Sequence, residues 1–206
     1  MNYSMIYYLG MFSIAVFAIT GVIATKEKEL DLFSIVFLGL VTALGGGTIR
    51  DIILGSYPVF WVSDPMFLWT ALIASLVSFG GGRYFSNLYS KFLYLDALGI
   101  ALFSIVATQK TMSLGHPPYI AVIMGVITAI FGSILRDILT GRPTLLLSKE
   151  LYATPVLIGT ILYVGLDYMT HHSLFVIPLC IVFIFLFRSV AIRFNITYPS
   201  WLCFKK

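Results

Sequence analysis

The sequence predicts an all-α membrane protein with seven transmembrane helices, arranged as two inverted three-helix repeats followed by a seventh helix. Composition is the first reason: 59% of the residues are hydrophobic, 11% are charged and the mean hydropathy is +0.97, far from the balance of a soluble domain. The second reason is a motif that occurs twice, 86 residues apart. We expect residues 1–206 to form a single transmembrane domain.

Seven apolar segments of about 20 residues follow one another along the chain, and each can cross roughly 30 Å of hydrocarbon. The first lacks the basic start and the small-residue cleavage site of a signal peptide, so we expect a retained helix. The segments cover residues 5–25, 32–54, 66–86, 93–110, 118–140, 151–170 and 173–194.

The repeated motif lies in the second and fifth segments, at residues 39–55 and 125–141. It places repeat one at about 5–86, repeat two at about 91–170 and the additional helix at about 173–194. Because each repeat holds three segments, the second must enter the membrane from the opposite side. Inverted repeats with interrupted helices are typical of membrane transport proteins. The identical pairs are Gly39/Gly125, Thr42/Thr128, Ala43/Ala129, Gly46/Gly132, Arg50/Arg136, Asp51/Asp137, Ile52/Ile138 and Gly55/Gly141.

Basic residues between the segments predict the orientation. Only Lys110 falls on the side opposite to the others, and positively charged loops stay cytoplasmic. We therefore expect an outside N-terminus and a cytoplasmic C-terminus in a multi-pass protein of the cell inner (plasma) membrane. The residues on the predicted cytoplasmic side are Lys26, Lys28, Arg83, Lys91, Arg142, Lys149, Arg193, Lys205 and Lys206.

Glycines interrupt both copies of the motif. Gly45, Gly46 and Gly47 lie deep in the second segment, where they permit a bend or an unwound turn. Close packing between helices is the alternative role of membrane glycines. The second copy keeps only Gly132, followed by Ser133, which predicts a milder bend.

Oxygen atoms near these glycines are candidate ligands for a passing ion. Thr42 and Thr128 precede the central glycine of each copy by about one turn.

Each motif also carries an Arg-Asp pair inside apolar sequence, which is costly in a membrane and therefore indicates function. Arg50 and Asp51, like Arg136 and Asp137, are adjacent, about 100° apart on a helix, so we expect each to find partners elsewhere. Asp96 is a candidate partner. The alternatives are that the pairs brace the broken helices beside a polar pathway, or that the arginines snorkel to the membrane surface.

Catalytic signatures are missing from the sequence. It contains no phosphate-binding loop, no dinucleotide fingerprint and no zinc-binding helix motif, so we expect neither an enzyme nor a cofactor or metal site. Nothing indicates nucleic-acid binding.

Several short motifs, in their order and spacing, resemble the prokaryotic branch of the trimeric intracellular cation (TRIC) channel family. The resemblance implies a homotrimer in the lipid bilayer, with one K⁺-permeable pore per protomer lined mainly by the second and fifth segments. The same domain also carries a glycine-transporter label, which implies instead a carrier of glycine or another small solute. The motifs are residues Phe17–Gly21, Ala43–Asp51, Pro58–Trp61, Asp96–Gly99, Leu135–Asp137 and Tyr152–Ala153.

Overall fold

The computed structural model describes residues 3–26, 28–81, 88–148, 150–170 and 175–199. Within these residues the chain forms eight α-helices and no strands. Arg83, Lys149, Lys205 and Lys206 of the predicted cytoplasmic set lie outside the described residues. The helices are α1 (Tyr3–Ala24), α2 (Leu32–Ile53), α3 (Phe60–Ser63), α4 (Met66–Gly81), α5 (Leu88–Ser113), α6 (Pro118–Thr140), α7 (Ala153–Met169) and α8 (Val176–Arg193).

Seven of these helices correspond to the seven predicted segments, and the predicted fold class is confirmed. In the described part of the chain, α1, α2, α5, α6 and α8 are long and apolar enough to cross a membrane, while α4 and α7 are shorter apolar helices of 16 and 17 residues. A 16-residue helix is about 24 Å long. The four-residue helix α3 was not predicted.

Local signals explain where the motif-bearing helices begin and end. Asp31 caps α2 by accepting hydrogen bonds from the N–H and the hydroxyl of Ser34, at 2.9 and 2.8 Å. These bonds lower the pKa of the Asp31 carboxyl. Pro118 starts α6, where a missing N–H costs nothing. Gly55 and Gly141 follow α2 and α6, both with a φ of +63°, a left-handed conformation that glycine tolerates best.

The two repeats pack as equivalent halves. In the first repeat α1 contacts α2 and α4, and in the second α5 contacts α6 and α7 in the same way. The two repeats are joined by contacts of α1 with α5 and of α2 with α6. Helix α8 packs on α5 and α7. At the α1–α5 contact, the equivalent rings of Phe17 and Phe103 meet edge to face, with centroids 5.7 Å apart. Equivalent residues of the two repeats therefore meet at the centre of the bundle.

Candidate functional site: a helix crossing between two charge clusters

The motif-bearing helices α2 and α6 cross at their central glycines. A Cβ atom on Gly46 would overlap the backbone carbonyl of Thr128, and one on Gly132 would overlap the backbone carbonyl of Thr42. The α-helix continues without interruption through both glycines. The unwound turn that the sequence allowed is absent from these stretches, and the glycines here permit close helix contact.

The two glycines beside Gly46 face different neighbours. A Cβ atom on Gly45 would lie 2.6 Å from Cδ1 of Leu135 on α6, and one on Gly47 would overlap the ring of Phe60 on α3. The three consecutive glycines therefore allow one turn of α2 to pack closely against both α6 and α3.

Hydroxyl groups around the crossing differ in their bonding. The Thr42 hydroxyl donates to the carbonyl of Leu38 at 2.7 Å. That of Ser133 donates to the carbonyl of Ile130 at 2.7 Å and lies 2.8 Å from the Tyr152 hydroxyl. The buried Oγ1 of Thr128 has no hydrogen-bond partner among the residues that the structure describes. The Thr42 oxygen keeps its acceptor lone pairs while it donates, and the Thr128 hydroxyl is free both to donate and to accept.

The first charge cluster, called the Asp51 cluster, consists of Arg50, Asp51 and Lys110. Nε of Arg50 and Nζ of Lys110 both lie 2.8 Å from Oδ1 of Asp51. The other carboxylate oxygen accepts the N–H of Phe60 at 2.8 Å. Asp51 is fully buried and Arg50 is 3% exposed, so the carboxylate is shielded from water.

The second cluster, called the Asp137 cluster, consists of Arg136, Asp137 and Asp96. Nε of Arg136 lies 2.9 Å from Oδ1 of Asp137, and its Nη1 lies 2.7 Å from Oδ1 of Asp96. Oδ2 of Asp137 accepts the N–H of Leu145 at 3.2 Å. The arginine is fully buried, with its guanidinium 4.5 Å from the ring centroid of Phe92.

The prediction that adjacent Arg and Asp residues do not meet was wrong. The Cβ atoms of adjacent helical residues point about 100° apart, but the arginine side chain is long and flexible. It folds back so that its Nε reaches the carboxylate of the next residue. Backbone N–H groups of the following segment hold both carboxylates in place. The additional partners expected elsewhere are present: Asp96 binds Arg136, and Lys110 binds Asp51.

The clusters are equivalent in position but opposite in formal charge. The Asp51 cluster combines two cations with one carboxylate, and the Asp137 cluster combines one cation with two carboxylates. Helix α5 connects them, with Asp96 near its beginning and Lys110 near its end. At 1.5 Å per residue these two residues are about 21 Å apart.

A cavity adjoins each cluster. The first has a volume of about 520 Å³ and is lined in part by Arg50, Lys110 and Phe103. The second has a volume of about 530 Å³ and is lined in part by Asp137. Between the first cavity and the Asp137 cluster the ring of Phe103 packs against Phe17.

A buried network ties helix α8 to the Asp137 cluster. Arg188 of α8 lies 3.2 Å from Oε2 of Glu150, and its guanidinium is 4.8 Å from the ring centroid of Tyr152. The Tyr152 hydroxyl donates to Oδ2 of Asp96 at 2.9 Å. Sequence reasoning missed Arg188, although an arginine inside the apolar seventh segment was a usable signal.

Comparison with known proteins places this arrangement in a family. The family model described as "Glycine transporter" matches twice, over residues 7–82 and 93–168. The crystal structure of the TRIC trimeric intracellular cation channel orthologue from Rhodobacter sphaeroides superposes with a TM-score of 0.90 at 35% identity, covering 94% of this chain and 100% of that one. The chain belongs to the TRIC family. The family resemblance predicted from the motifs is confirmed.

Other similar proteins agree with this membership. A prokaryotic TRIC channel in 0.5 M KCl has a TM-score of 0.86 at 27% identity, covering 94% of this chain and 98% of that chain. The inner membrane protein YadS of Escherichia coli K12 is 38% identical over 204 residues, 96% of each chain. The TRIC structures are ion channels rather than enzymes, in agreement with the expectation of no enzymatic activity. This TRIC family member is a multi-pass membrane protein.

Proposed function

We propose that this protein is a K⁺-permeable channel for monovalent cations, with one pore in each protomer. The observation that carries the proposal is its similarity to TRIC cation channels over nearly the whole chain. The pathway would follow the crossing of α2 and α6, between the two cavities. Because the crossing is tightly packed, the structure corresponds to a non-conducting state under this proposal.

The motif residues receive roles that follow from their contacts. Gly45–Gly47 and Gly132 would let α2 and α6 bend or shift without side-chain collisions. Oxygens of Thr42, Thr128 and Ser133 would contact the ion through their lone pairs, which the hydrogen bonds that Thr42 and Ser133 donate leave available.

The charge clusters would keep the crossing helices in place and set the field along the pathway. Asp51 and Asp137 each join an arginine to the segment that follows its helix. Asp96 gives the Asp137 cluster one carboxylate more than its arginine, and Asp137, Glu150 and Arg142 line the adjoining cavity, so groups of both signs would set the field at that mouth.

We infer that the chain assembles as a homotrimer in the inner membrane, with its N-terminus outside and its C-terminus cytoplasmic. The R. sphaeroides neighbour is described as trimeric, and YadS is named an inner membrane protein. The uneven distribution of basic residues supports the orientation. Residues 1–206 would form one transmembrane domain with the repeat bounds given above.

A second candidate function is secondary transport of glycine or another small solute. The description of the matching family model favours it. An inverted repeat with a cavity beside each charge cluster also suits alternating access.

Reconstitution into liposomes tests the two functions directly. We expect discrete single-channel K⁺ currents in planar bilayers and rapid K⁺ flux from proteoliposomes. Uptake of labelled glycine should not exceed that of protein-free liposomes. Saturable glycine uptake without channel currents would overturn the channel proposal in favour of the carrier.

A further inference from the structure

The cavity beside the Asp51 cluster has an unusual charge for the mouth of a cation pathway. Its volume of about 520 Å³ lies within the range of small-molecule sites. Arg50 and Lys110 line it, whereas the carboxylate that they share lies behind them and does not. The described residues that line the cavity include no aspartate or glutamate. The lining thus carries two cationic side chains, and two carboxylates lie behind it: Asp51 behind the cations, and Asp64 behind Tyr7, whose hydroxyl donates to it at 2.8 Å.

The two cationic groups are close enough to bind one ligand together. Both lie 2.8 Å from the same oxygen of Asp51, so Nε of Arg50 and Nζ of Lys110 are at most twice that distance apart. Among the hydrogen bonds of the described residues, Arg50 uses only its Nε, toward Asp51. Its two Nη groups therefore remain for a ligand, and they form the planar fork that matches a carboxylate.

The remaining walls favour an apolar body over a highly charged one. Phe60, Phe67 and Phe103 contribute aromatic rings, with Val106 beside them. Ser4, Gln109 and Ser113 also line the cavity, but these neutral groups replace only part of the water that a strongly hydrated divalent anion such as sulfate loses against the rings. A monoanion with a small apolar substituent would bury that substituent and keep its charge beside the cations.

We propose that this cavity is a binding site for a small monocarboxylate. The carboxylate is held between the Nη groups of Arg50 and Nζ of Lys110, and the apolar part lies against the phenylalanine rings. The ligand offsets the positive excess of the Asp51 cluster. The site does not depend on the proposed channel function, because binding at equilibrium requires no transport.

Benzoate is a suitable probe, with benzamide as its uncharged counterpart. The purified full-length protein in nanodiscs of neutral lipid is titrated with each compound at constant ionic strength, while Tm and the change in ligand NMR signals are recorded. We expect a saturable rise in Tm with potassium benzoate. Benzamide or potassium sulfate at the same concentrations should produce no such rise.

Three variants locate the site. Lys110→Gln removes one cation but leaves the Arg50–Asp51 pair, so the protein should fold and its Kd for benzoate should rise about tenfold. Lys110→Arg keeps the charge and should retain binding within a few-fold. Arg193→Gln, at the exposed end of α8, removes a cation remote from the cavity and should bind benzoate like the parent protein.

Three results would overturn the site. The first is the absence of a saturable benzoate response in the parent protein, and the second is an equal response in Lys110→Gln. The third is equal binding of benzamide, which would show that the rings alone hold the ligand. None of these measurements involves ion flux. They therefore test the binding site independently of the channel function, which the liposome experiment tests.

Discussion

The backbone carbonyl of Thr128 occupies the space that a Cβ atom on Gly46 would need. The obstacle is backbone, which cannot move aside as a flexible side-chain end can. The reciprocal contact of Gly132 with the carbonyl of Thr42 makes the crossing intolerant of side chains on both helices. Its geometry therefore depends on two glycines in equivalent positions of the repeats.

Replacement of Gly46 by alanine should destabilise this crossing. Alanine is the better helix former by about 1 kcal/mol, but here its methyl group forces α2 away from α6, at a cost of about 1–3 kcal/mol. We expect a lower Tm for Gly46→Ala and for Gly132→Ala. Gly165→Ala on α7 is the matched control, since nothing lies within 4 Å of a Cβ there. A Gly46→Ala protein as stable as the Gly165→Ala protein would contradict the close crossing.

Much of this architecture could be predicted from the sequence. Length and hydropathy located the seven apolar helices, and the 86-residue offset identified the equivalent glycines, Gly46 and Gly132, whose helices cross at the centre. The short helix α3 was missed because its four residues carry no periodic pattern, and its position depends on the Asp51 carboxylate and the space beside Gly47. Spacing along the chain cannot indicate which distant carboxylate Arg136 binds, since that depends on how α5 packs against α6.

Loss of the carboxylate should be more damaging in the Asp51 cluster than loss of one of its cations. Asp51→Asn leaves two cations together without a counter-charge in a buried site, at a cost of about 3–5 kcal/mol. Lys110→Gln leaves the Arg50–Asp51 pair intact and should cost less. Thermal unfolding in the same detergent compares them. Equal Tm values for the two variants would mean that the carboxylate does not organise the cluster.

The Tyr152 hydroxyl should contribute to stability through Asp96. Tyr152→Phe removes the proton donated to Asp96, with an expected cost of about 1–3 kcal/mol. The double variant with Asp96→Asn should be less destabilised than the sum of the single variants. Tyr168→Phe, at a residue that is 79% exposed, is the control. Strict additivity would show that the hydroxyl and the carboxylate act independently.

The orientation of the chain can be tested at two positions on either side of the membrane. Reporter fusions after Gly115, between α5 and α6, should report the outside, and fusions at Lys206 should report the cytoplasm. The physical reason is the cluster of basic residues on one side of the predicted topology. The reverse reporter pattern would reject the predicted orientation, with its outside N-terminus and cytoplasmic C-terminus.

The Phe17–Phe103 pair should restrict ion passage if the protein is a cation channel. Phe103 lines the cavity beside the Asp51 cluster and packs against Phe17. On the far side of this pair, three residues after Phe17, the Thr20 hydroxyl accepts a hydrogen bond from Nη1 of Arg136 at 3.3 Å. Phe103→Ala removes an edge-to-face contact and opens space beside that cavity, so we expect faster K⁺ flux from proteoliposomes along with a stability loss of about 3–5 kcal/mol. Phe103→Leu should preserve most of the wild-type flux and stability.

Phe37→Ala, at a half-exposed residue of α2, controls for the general loss of an aromatic ring. Unchanged flux in folded Phe103→Ala protein would place the restriction elsewhere, with the α2–α6 glycine crossing as the remaining barrier.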